Sequence, residues 1–280
     1  DNPSLQADMV VLAIGVTPDT ALAKEAGLEL GIKGSIVVND RMETSVPDIY
    51  AAGDAVQVKH YVTGDDALIS LAGPANKQGR IIADNICGGD SRYLGSQGSS
   101  VIKVFDITAA TTGINETNAK KSGLEVDTVI LSPMSHAGYY PGGKVMTMKV
   151  VFEKDTYRLL GAQIIGYEGV DKRIDVLATA IHAGLKATQL KDLDLAYAPP
   201  YSSAKDPVNM AGFMIDNIAK GTLKQWHLED MDKISKDKSV VLLDVRTVGE
   251  FNRGHMDGFK NIPVDELRER INEIEKGKPV

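Results

Sequence analysis

The stretch from Thr44 to Ala55 carries the strongest indication of fold and function in this sequence. Pro47-Asp48 predicts a turn, and the short apolar run after it, Ile49-Tyr50-Ala51-Ala52, predicts a strand buried on both faces. The run stops at Gly53, which allows a ligand or another backbone to come close. Asp54 then falls at the carboxyl end of the predicted strand, where open α/β sheets bind their ligands. The plain alternative is a strand-to-loop turn capped by an aspartate.

The same stretch resembles the second FAD-binding motif of the pyridine nucleotide-disulfide oxidoreductases. In that family the motif's aspartate holds a ribityl hydroxyl of the flavin. The resemblance therefore implies FAD as a cofactor and implies flavin contacts from the residues that carry it or adjoin it: Thr44, Ile49, Tyr50, Ala51, Gly53, Asp54 and Ala55.

The residues before this motif resemble the segment that closes the NAD(P)H domain of the same enzymes. Ala7 to Gly15 is an apolar run that predicts a buried strand, and Pro18-Asp19 follows it at the expected place. We expect a short helix from Ala21 to Ala26, ended by Gly27, and a strand in Gly34 to Asn39. The resemblance implies NAD(P)H as the electron donor of the intact protein.

The helix predicted from Leu71 to Cys87 has a narrower resemblance. Pro74 suits its first turn, and Gly88-Gly89 ends it. Its opening residues resemble the branch that contains NADH oxidases, NADH peroxidases and coenzyme A-disulfide reductases. That likeness implies flavin contacts from Leu71, Ala72 and Pro74, and a coenzyme A contact from Asn76. Cys87 has no partner cysteine, and we expect a structural role for it.

A change of pattern from Val101 predicts an α+β domain with predicted strands at 101–106, 126–131, 145–153 and 159–165 and helices at 115–122, 173–183 and 207–220. The segment Leu160 to Gly166 resembles a strand of the dimerisation domain of the same oxidoreductases. The resemblance implies a homodimer formed through residues 101–220, with each domain reaching into the active site of its partner.

Two loops rich in turn residues carry the candidate catalytic groups. Tyr139 lies in one and Tyr197 in the other, at positions where coenzyme A-disulfide reductases have tyrosines that protonate a leaving sulfur. A phenol with a pKa near ~10 can donate a hydrogen bond and a proton. Tyr197 also matches a flavin-contacting position, and Lys205 matches one that contacts coenzyme A, where an ammonium suits a phosphate. The alternative is that the tyrosines plug a core edge. We expect His136 to be a surface residue.

The last region, from residue 222, resembles the opening of a rhodanese domain. The similar residues run in order from Leu243-Asp244-Val245-Arg246 through Glu250-Phe251, Gly254-His255 and Gly258 to Asn261-Ile262-Pro263. Val240 to Arg246 predicts a buried strand, and Val264 to Glu275 predicts a helix. The sulfur-carrying cysteine of rhodaneses is expected a few residues further along and does not occur in these residues.

Length and composition limit the remaining possibilities. A chain of 280 residues suits two or three domains, and we predict boundaries that give 1–98, 99–221 and 222–280. The net charge of −7 argues against nucleic acid or an anionic membrane as a partner. A single cysteine and the lack of a long apolar stretch favour a cytoplasmic setting. Because no G-x-G-x-x-G fingerprint occurs, we expect the carboxyl-terminal portion of a longer protein, without its two redox cysteines.

Together these resemblances predict mixed α/β and α+β architecture and a flavoprotein. The intact protein is expected to be an FAD-dependent, NAD(P)H-dependent reductase of coenzyme A disulfide or coenzyme A persulfide with a rhodanese sulfur-transfer domain, whereas this chain alone is expected to be inactive. One alternative is an NADH oxidase or peroxidase. Another, from a different class, is a non-catalytic scaffold for dimerisation and sulfur relay.

Overall fold

A computed structural model describes residues 4–280. The chain divides into two compact units, the first ending at Lys220 and the second beginning at Gly221. Helices and strands mix in both, which confirms the predicted mixed α/β fold class. No helix in residues 4–280 is both long and apolar enough to cross a membrane.

The amino-terminal part of the first unit is a small α/β assembly. Its elements in chain order are α1 (Ala21–Glu25), β1 (Ile36–Val37), β2 (Val56–Lys59), β3 (Asp66–Ala67) and α2 (Ala72–Ile86). Strand β2 is central, with β1 parallel to it on one side and β3 antiparallel on the other. The buried apolar cluster beneath this sheet is small and consists of Met42, Val56 and Val58.

Two predicted strands in this part are wrong. The run from Ala7 to Gly15 has no strand pairing, and its large apolar side chains are exposed. The run Ile49 to Ala52 forms one antiparallel bridge only, between Tyr50 and Glu43, and is not buried on both faces. Apolar sequence alone does not make a strand, because each strand needs a neighbour that satisfies its N–H and C=O groups.

Residues 99–220 form an α+β domain around one five-stranded antiparallel sheet with the order β4-β5-β8-β7-β6. Its elements are β4 (Ser100–Val104), β5 (Ile107–Gly113), α3 (Glu116–Lys121), β6 (Val126–Leu131), β7 (Thr147–Glu153), β8 (Leu159–Gly166), α4 (Val170–His182) and α5 (Pro207–Ala219). The sequence analysis missed β5, whose alanines and threonines carry a weak apolar pattern. Phe105, at φ 51°, turns the chain tightly between β4 and β5.

One face of this sheet packs against α4 and encloses the main apolar core. Met148, Leu160, Ile164 and Leu177 are among its buried side chains. The opposite face carries Ile102 and Ile165, which are exposed. Both are in register with Ala109 between them. The sheet therefore has one closed face, while the other face exposes an apolar area at Ile102 and Ile165 with Lys149 and Gln163 beside it.

The second unit is built from short elements: α6 (Met231–Ile234), β9 (Leu243–Asp244), α7 (Val248–Arg253), β10 (Lys260–Asn261) and α8 (Val264–Leu267). Strands β9 and β10 pair in parallel. The predicted strand from Val240 to Arg246 shrinks to β9 and is only partly buried.

The predicted helix from Val264 to Glu275 is also wrong beyond α8. Arg270 leaves the helical range at φ −101° and ψ 13°, and a 3₁₀ turn follows at Ile271–Glu273. The Nζ atom of Lys260 donates to the carbonyl oxygen of Glu273 at 3.1 Å. It also lies 2.9 Å from a carboxylate oxygen of the same residue. These contacts hold the segment against β10 in place of a continuing helix.

Candidate active site

The predicted flavin-binding residues lie in a loop and a 3₁₀ turn, Gly53–Ala55, directly before β2. Gly53 has a φ of +85°, which favours glycine, and a Cβ atom there would meet no atom within 4 Å. The carboxylate of Asp54 is exposed on this turn. The Thr44 side chain accepts a hydrogen bond from the Val46 N–H at 3.3 Å and so shapes the turn that precedes Ile49.

A buried glutamine joins this turn to α2. The Oε1 atom of Gln78 accepts a hydrogen bond from the Gly53 N–H at 2.8 Å. Its side chain is only 2% exposed. Leu71 is the residue before α2, and its side chain cannot accept a hydrogen bond. The first backbone N–H groups of α2, near Ala72 and before Pro74, therefore have no side-chain cap. The arrangement fits a flavin, because an exposed acid, an unobstructed glycine and an uncapped helix start adjoin one another.

The sequence analysis did not single out Gln78 for a role, although it lies within the stretch that suggested the family branch. A glutamine inside a predicted helix has no distinctive pattern when it is considered alone. The available signal was its position on the buried side of an otherwise polar helix segment.

Asn76 lies near the start of α2 and is exposed. Its Nδ2 atom donates to the Ala72 carbonyl at 3.2 Å. It lines a cavity of about 700 Å³ that the side chains of Lys77, Arg80 and Arg92 also line. Arg80 pairs with Asp84 at 2.9 Å, and Arg92 pairs with Asp40 at 2.8 Å. A cavity of this size with cationic side chains around it suits a phosphorylated ligand that exchanges for these carboxylates. Asn76 is a candidate from the sequence, whereas no sequence pattern marks these cations as ligand contacts.

The two candidate catalytic tyrosines meet. The hydroxyl groups of Tyr139 and Tyr197 lie 2.8 Å apart and share a hydrogen bond. Both side chains are open to solvent, at 78% and 45% exposure respectively. The hydrogen bond with Tyr139 raises the pKa of Tyr197, and partial burial adds to the rise. Tyr197 therefore keeps its proton at neutral pH.

Two further residues near the tyrosine pair, His136 and Lys205, were considered in the sequence. His136 is 4% exposed and not a surface residue, because the loop folds inward there. Its Nδ1 atom is 3.1 Å from the Ala137 carbonyl oxygen, and its ring packs edge-on against Tyr140. Lys205 lies on the Tyr197 loop, with its ammonium 5.5 Å from the centre of the Phe213 ring.

Behind the tyrosines lies a buried ion pair between Arg173 of α4 and Asp206, the N-cap residue of α5. The two side chains are 1% and 3% exposed, and the Arg173 Nη2 atom lies 3.0 Å from an Asp206 carboxylate oxygen. Burial raises the pKa of Asp206. Hydrogen bonds from the Val208 N–H and the Ser202 hydroxyl, together with the charge of Arg173, outweigh that effect and hold the pKa below its usual value. The carboxylate therefore stays ionised.

The predicted site residues thus form two groups. Gly53, Asp54 and the start of α2 make one, and Tyr139, Tyr197 and Lys205 make the other. Within residues 4–280, no hydrogen bond, ion pair or ring contact joins a site residue of one group to a site residue of the other. The chain brings each group together separately.

In the second unit the motif residues hold their own backbone in place. The Arg246 guanidinium pairs with Asp244 at 2.6 Å and donates to the Gly254 carbonyl at 2.9 Å. The Asn261 side-chain amide donates to the carbonyl oxygens of Asp244 and Arg246, at 3.0 and 2.8 Å. The ring of His255 stacks on that of Phe251. These polar residues connect β9, α7 and β10, so they are explained by structural roles.

Comparison with known proteins gives the family. Residues 1–79 match the model described as pyridine nucleotide-disulphide oxidoreductase, and residues 99–207 match the dimerisation domain of the same family. The chain belongs to the pyridine nucleotide-disulphide oxidoreductase family.

Individual relatives cover more of the chain. It is similar to a solved structure of reduced Bacillus anthracis CoADR-RHD, with 49% identity and a TM-score of 0.93 over 98% of this chain and 49% of that one. It is also similar to an NAD-dependent persulfide reductase from A. fulgidus, with 42% identity and a TM-score of 0.88 over 97% of this chain and 49% of that one. A CoA-dependent NAD(P)H sulfur oxidoreductase from Pyrococcus abyssi is 38% identical over 74% of this chain and 46% of its own length. The chain spans about half the length of these relatives.

Proposed function

We propose that the protein containing this chain is an FAD-dependent, NAD(P)H-dependent reductase of coenzyme A disulfide or coenzyme A persulfide. The observation that carries the proposal is the hydrogen-bonded pair of Tyr139 and Tyr197 on two solvent-facing loops. Support comes from the family and from the similar proteins, whose names refer to persulfide reduction and to dependence on CoA. The flavin, when bound, passes electrons from the nicotinamide to sulfur.

The two candidate substrates give balanced reactions. NAD(P)H and one proton convert coenzyme A disulfide to two coenzyme A thiols by breaking its S–S bond. The same donor and proton convert coenzyme A persulfide to one thiol and hydrogen sulfide. Each reaction places a proton on a sulfur that leaves as a thiolate. The tyrosine pair supplies that proton from one hydroxyl, while the second hydroxyl stabilises the phenolate that remains.

Binding roles follow from the geometry of the two groups. Asp54 and the backbone at the start of α2 are proposed to hold the flavin. Asn76 and the cations that line its cavity, including Lys77 and Arg80, are proposed to bind the coenzyme. Lys205 is proposed to bind a phosphate of the same ligand.

A homodimer formed through residues 101–220 is part of the proposal. The dimerisation-domain match and the apolar sheet face at Ile102 and Ile165 support it. It also explains why the tyrosines make no contact with the flavin group of their own chain: each pair is proposed to serve the partner's flavin. We further propose that residues 222–280 belong to a rhodanese-like domain, that the domain boundaries are those predicted, and that the protein is cytoplasmic.

The decisive experiment replaces the phenols in the full-length enzyme. Tyr139→Phe and Tyr197→Phe remove a hydroxyl and keep the ring. We expect a modest loss of turnover from each change and about a 10²–10⁴-fold loss from the pair, since general acids are worth about that much. Flavin reduction by NAD(P)H, followed by stopped flow, should stay close to normal.

Matched controls come from the same loops. Tyr140→Phe and Tyr201→Phe each remove a neighbouring phenol and should leave turnover unchanged. If Tyr139→Phe with Tyr197→Phe only lowers the melting temperature and turnover per folded enzyme is normal, the tyrosines are packing residues and the proposal is wrong. An NADH oxidase would be recognised by turnover with oxygen that exceeds turnover with coenzyme A disulfide or persulfide.

A second test concerns the flavin. Asp54→Ala in the full-length protein should lower FAD occupancy, measured as flavin absorbance per protein, because the ribityl contact is lost. The side chain is exposed, so the melting temperature of the flavin-free protein should not change. Undiminished flavin content would contradict the assignment of Asp54.

A further inference from the structure

A single buried arginine contacts both tyrosine-bearing loops from behind. Arg173 lies in α4, and its Nη2 atom donates to the Ser135 carbonyl oxygen at 3.0 Å, four residues before Tyr139. The same atom donates to the Tyr201 carbonyl oxygen at 3.3 Å and to the Ser202 hydroxyl at 3.2 Å. These two residues follow Tyr197 on the second loop. One guanidinium therefore joins two loops that are far apart in sequence.

The rest of the network fixes the guanidinium itself. Its Nε and Nη2 atoms contact Asp206 at 3.2 and 3.0 Å, and its Nη1 atom donates to the Gly169 carbonyl at 3.1 Å. The Ser202 hydroxyl donates to Asp206 at 2.7 Å. The loops also bond directly, since the Ala137 N–H donates to the Ser202 carbonyl at 3.0 Å.

Gly169 leaves the space that this arrangement requires. A Cβ atom at Gly169 would lie 2.0 Å from the Arg173 Nη1 atom, so any side chain there would displace the guanidinium. Gly169 also has a φ of +68°, a conformation that favours glycine. The start of α4 is therefore built around the position of Arg173.

We propose that Arg173 is a positioning residue that holds Tyr139 and Tyr197 within hydrogen-bonding distance by fixing the two loops to each other. The inference rests on the proposed function for its effect on turnover, but not for its effect on the tyrosine pair. Lys205 lies between Ser202 and Asp206 in the chain, so the same network fixes the segment that carries it. Arg173 touches neither substrate nor flavin in this role.

The choice of arginine has a geometric reason. A guanidinium presents five donors in a planar fork and reaches several acceptors at once, whereas an ammonium presents three donors at one point. Lysine at this position keeps the positive charge near Asp206, but its side chain ends one bond before the position of Nη2 and has no second nitrogen for the Gly169 carbonyl oxygen. It therefore weakens the contacts with Ser135 and Tyr201. Arg173→Lys thus separates charge from loop positioning.

The test uses two variants in the full-length enzyme. Arg173→Lys should lower kcat about 10- to 100-fold, because small displacements of catalytic groups have effects of about that size. Flavin reduction by NAD(P)H should be unchanged. Arg173→Met with Asp206→Asn removes both charges and keeps a good N-cap for α5. This double variant should show the same loss of kcat, and it replaces Arg173→Lys as the test if that variant folds poorly. Arg158→Lys is the matched control, since Arg158 donates to the carbonyl oxygen of Val62, which lies outside residues 99–220. Its replacement should leave kcat unchanged.

A second measurement reports on the tyrosine pair directly. The ring-carbon NMR signals of ¹³C-labelled tyrosine, assigned with Tyr139→Phe and Tyr197→Phe, follow the titration of each phenol. The pKa of Tyr197 should fall toward its ordinary value in Arg173→Lys and stay raised in Arg158→Lys.

The outcomes distinguish the two proposals. If both Arg173 variants fold and keep the titration of Tyr197 and the turnover of the parent enzyme, the positioning role is wrong even if the tyrosines are catalytic. If the titration shifts in Arg173→Lys but the double tyrosine variant turns over normally, the positioning role stands and the proposed function fails.

Discussion

The antiparallel domain of residues 99–220 encloses a large apolar core to which Val62 also belongs, whereas the separate cluster within residues 4–98 is small and consists of Met42, Val56 and Val58. The difference follows from how each sheet is connected. Each of the domain's five strands pairs with a strand next to it in the chain, and only the β5–β8 pairing joins strands that are not neighbours in sequence. In residues 4–98 the parallel pair β1 and β2 joins segments about 20 residues apart, and only two residues of each strand pair.

The same comparison applies to the two groups of site residues. The turn that contains Gly53 and Asp54 is held to α2 by one buried side chain, Gln78, in a region with a small core. The tyrosine group is held by Arg173 and Asp206 against the main core of its domain. The tyrosine pair is thus attached to the part of the chain with the larger apolar core, while the turn at Gly53 depends on a local contact. Three predictions test this contrast, in decreasing order of expected effect.

The largest effect should come from the core. Leu177→Ala leaves a cavity under the five-stranded sheet, where Leu177 is fully buried, and should lower the free energy of unfolding by about 2–5 kcal/mol. Val58→Ala, in the small cluster, should cost less because its surroundings can close around the change. Urea unfolding followed by far-UV circular dichroism gives both values. Equal losses for the two variants would show that residues 4–98 are supported as firmly as the domain.

A smaller effect is expected at the flavin turn. Gln78→Leu leaves the Gly53 N–H without its partner. It should lower the free energy needed to open this turn locally by about 1–3 kcal/mol. Hydrogen exchange of the Gly53 amide should speed up accordingly. Gln57→Leu is the matched control, because Gln57 accepts a hydrogen bond from the Ile32 N–H in an exposed setting at 2.8 Å. Similar acceleration at Gly53 and Ile32 would mean that burial of Gln78 is unimportant.

The smallest expected effect is on the stability of the domain at low pH and comes from Glu116. Hydrogen bonds from Lys120 and Lys149 lower the pKa of Glu116 to about 2. Because the folded pKa lies below the ordinary value of 4.5, this contribution to stability is complete above pH 4.5 and disappears as the pH falls toward 2. Solvent screening limits it to about 1 kcal/mol.

Glu116→Gln should remove that part of the pH dependence of unfolding of residues 99–220. Glu125→Gln, at an exposed carboxylate of the same domain, should not. Parallel unfolding curves for the parent chain and Glu116→Gln from pH 5 to pH 2.5 would contradict the role of Glu116.

The sequence alone determined those features whose signal is local. The helices at α2 and α5 were predicted closely, because Pro74 and Pro207 mark their first turns and small or apolar residues repeat along one face. The mixed α/β class followed from the succession of strand and helix patterns. The residues that resemble the flavin motif, Asn76 and both tyrosines could be identified as candidates because family motifs are short runs of residue types, and their roles stay predictions.

Only the tertiary structure decided the features that depend on distant partners. Within residues 4–280, the runs at 7–15 and 49–52 have strand-like sequences but join no sheet, apart from the single bridge at Tyr50. Strand β5 has a weak pattern and a strand on either side. Tyr139 and Tyr197 are 58 residues apart, and nothing in either loop specifies their contact. Arg173 resembles any charged helix residue until Ser135, Ser202 and Asp206 surround it. Burial makes such a group stable only when all of its partners arrive together, and the fold alone sets that arrangement.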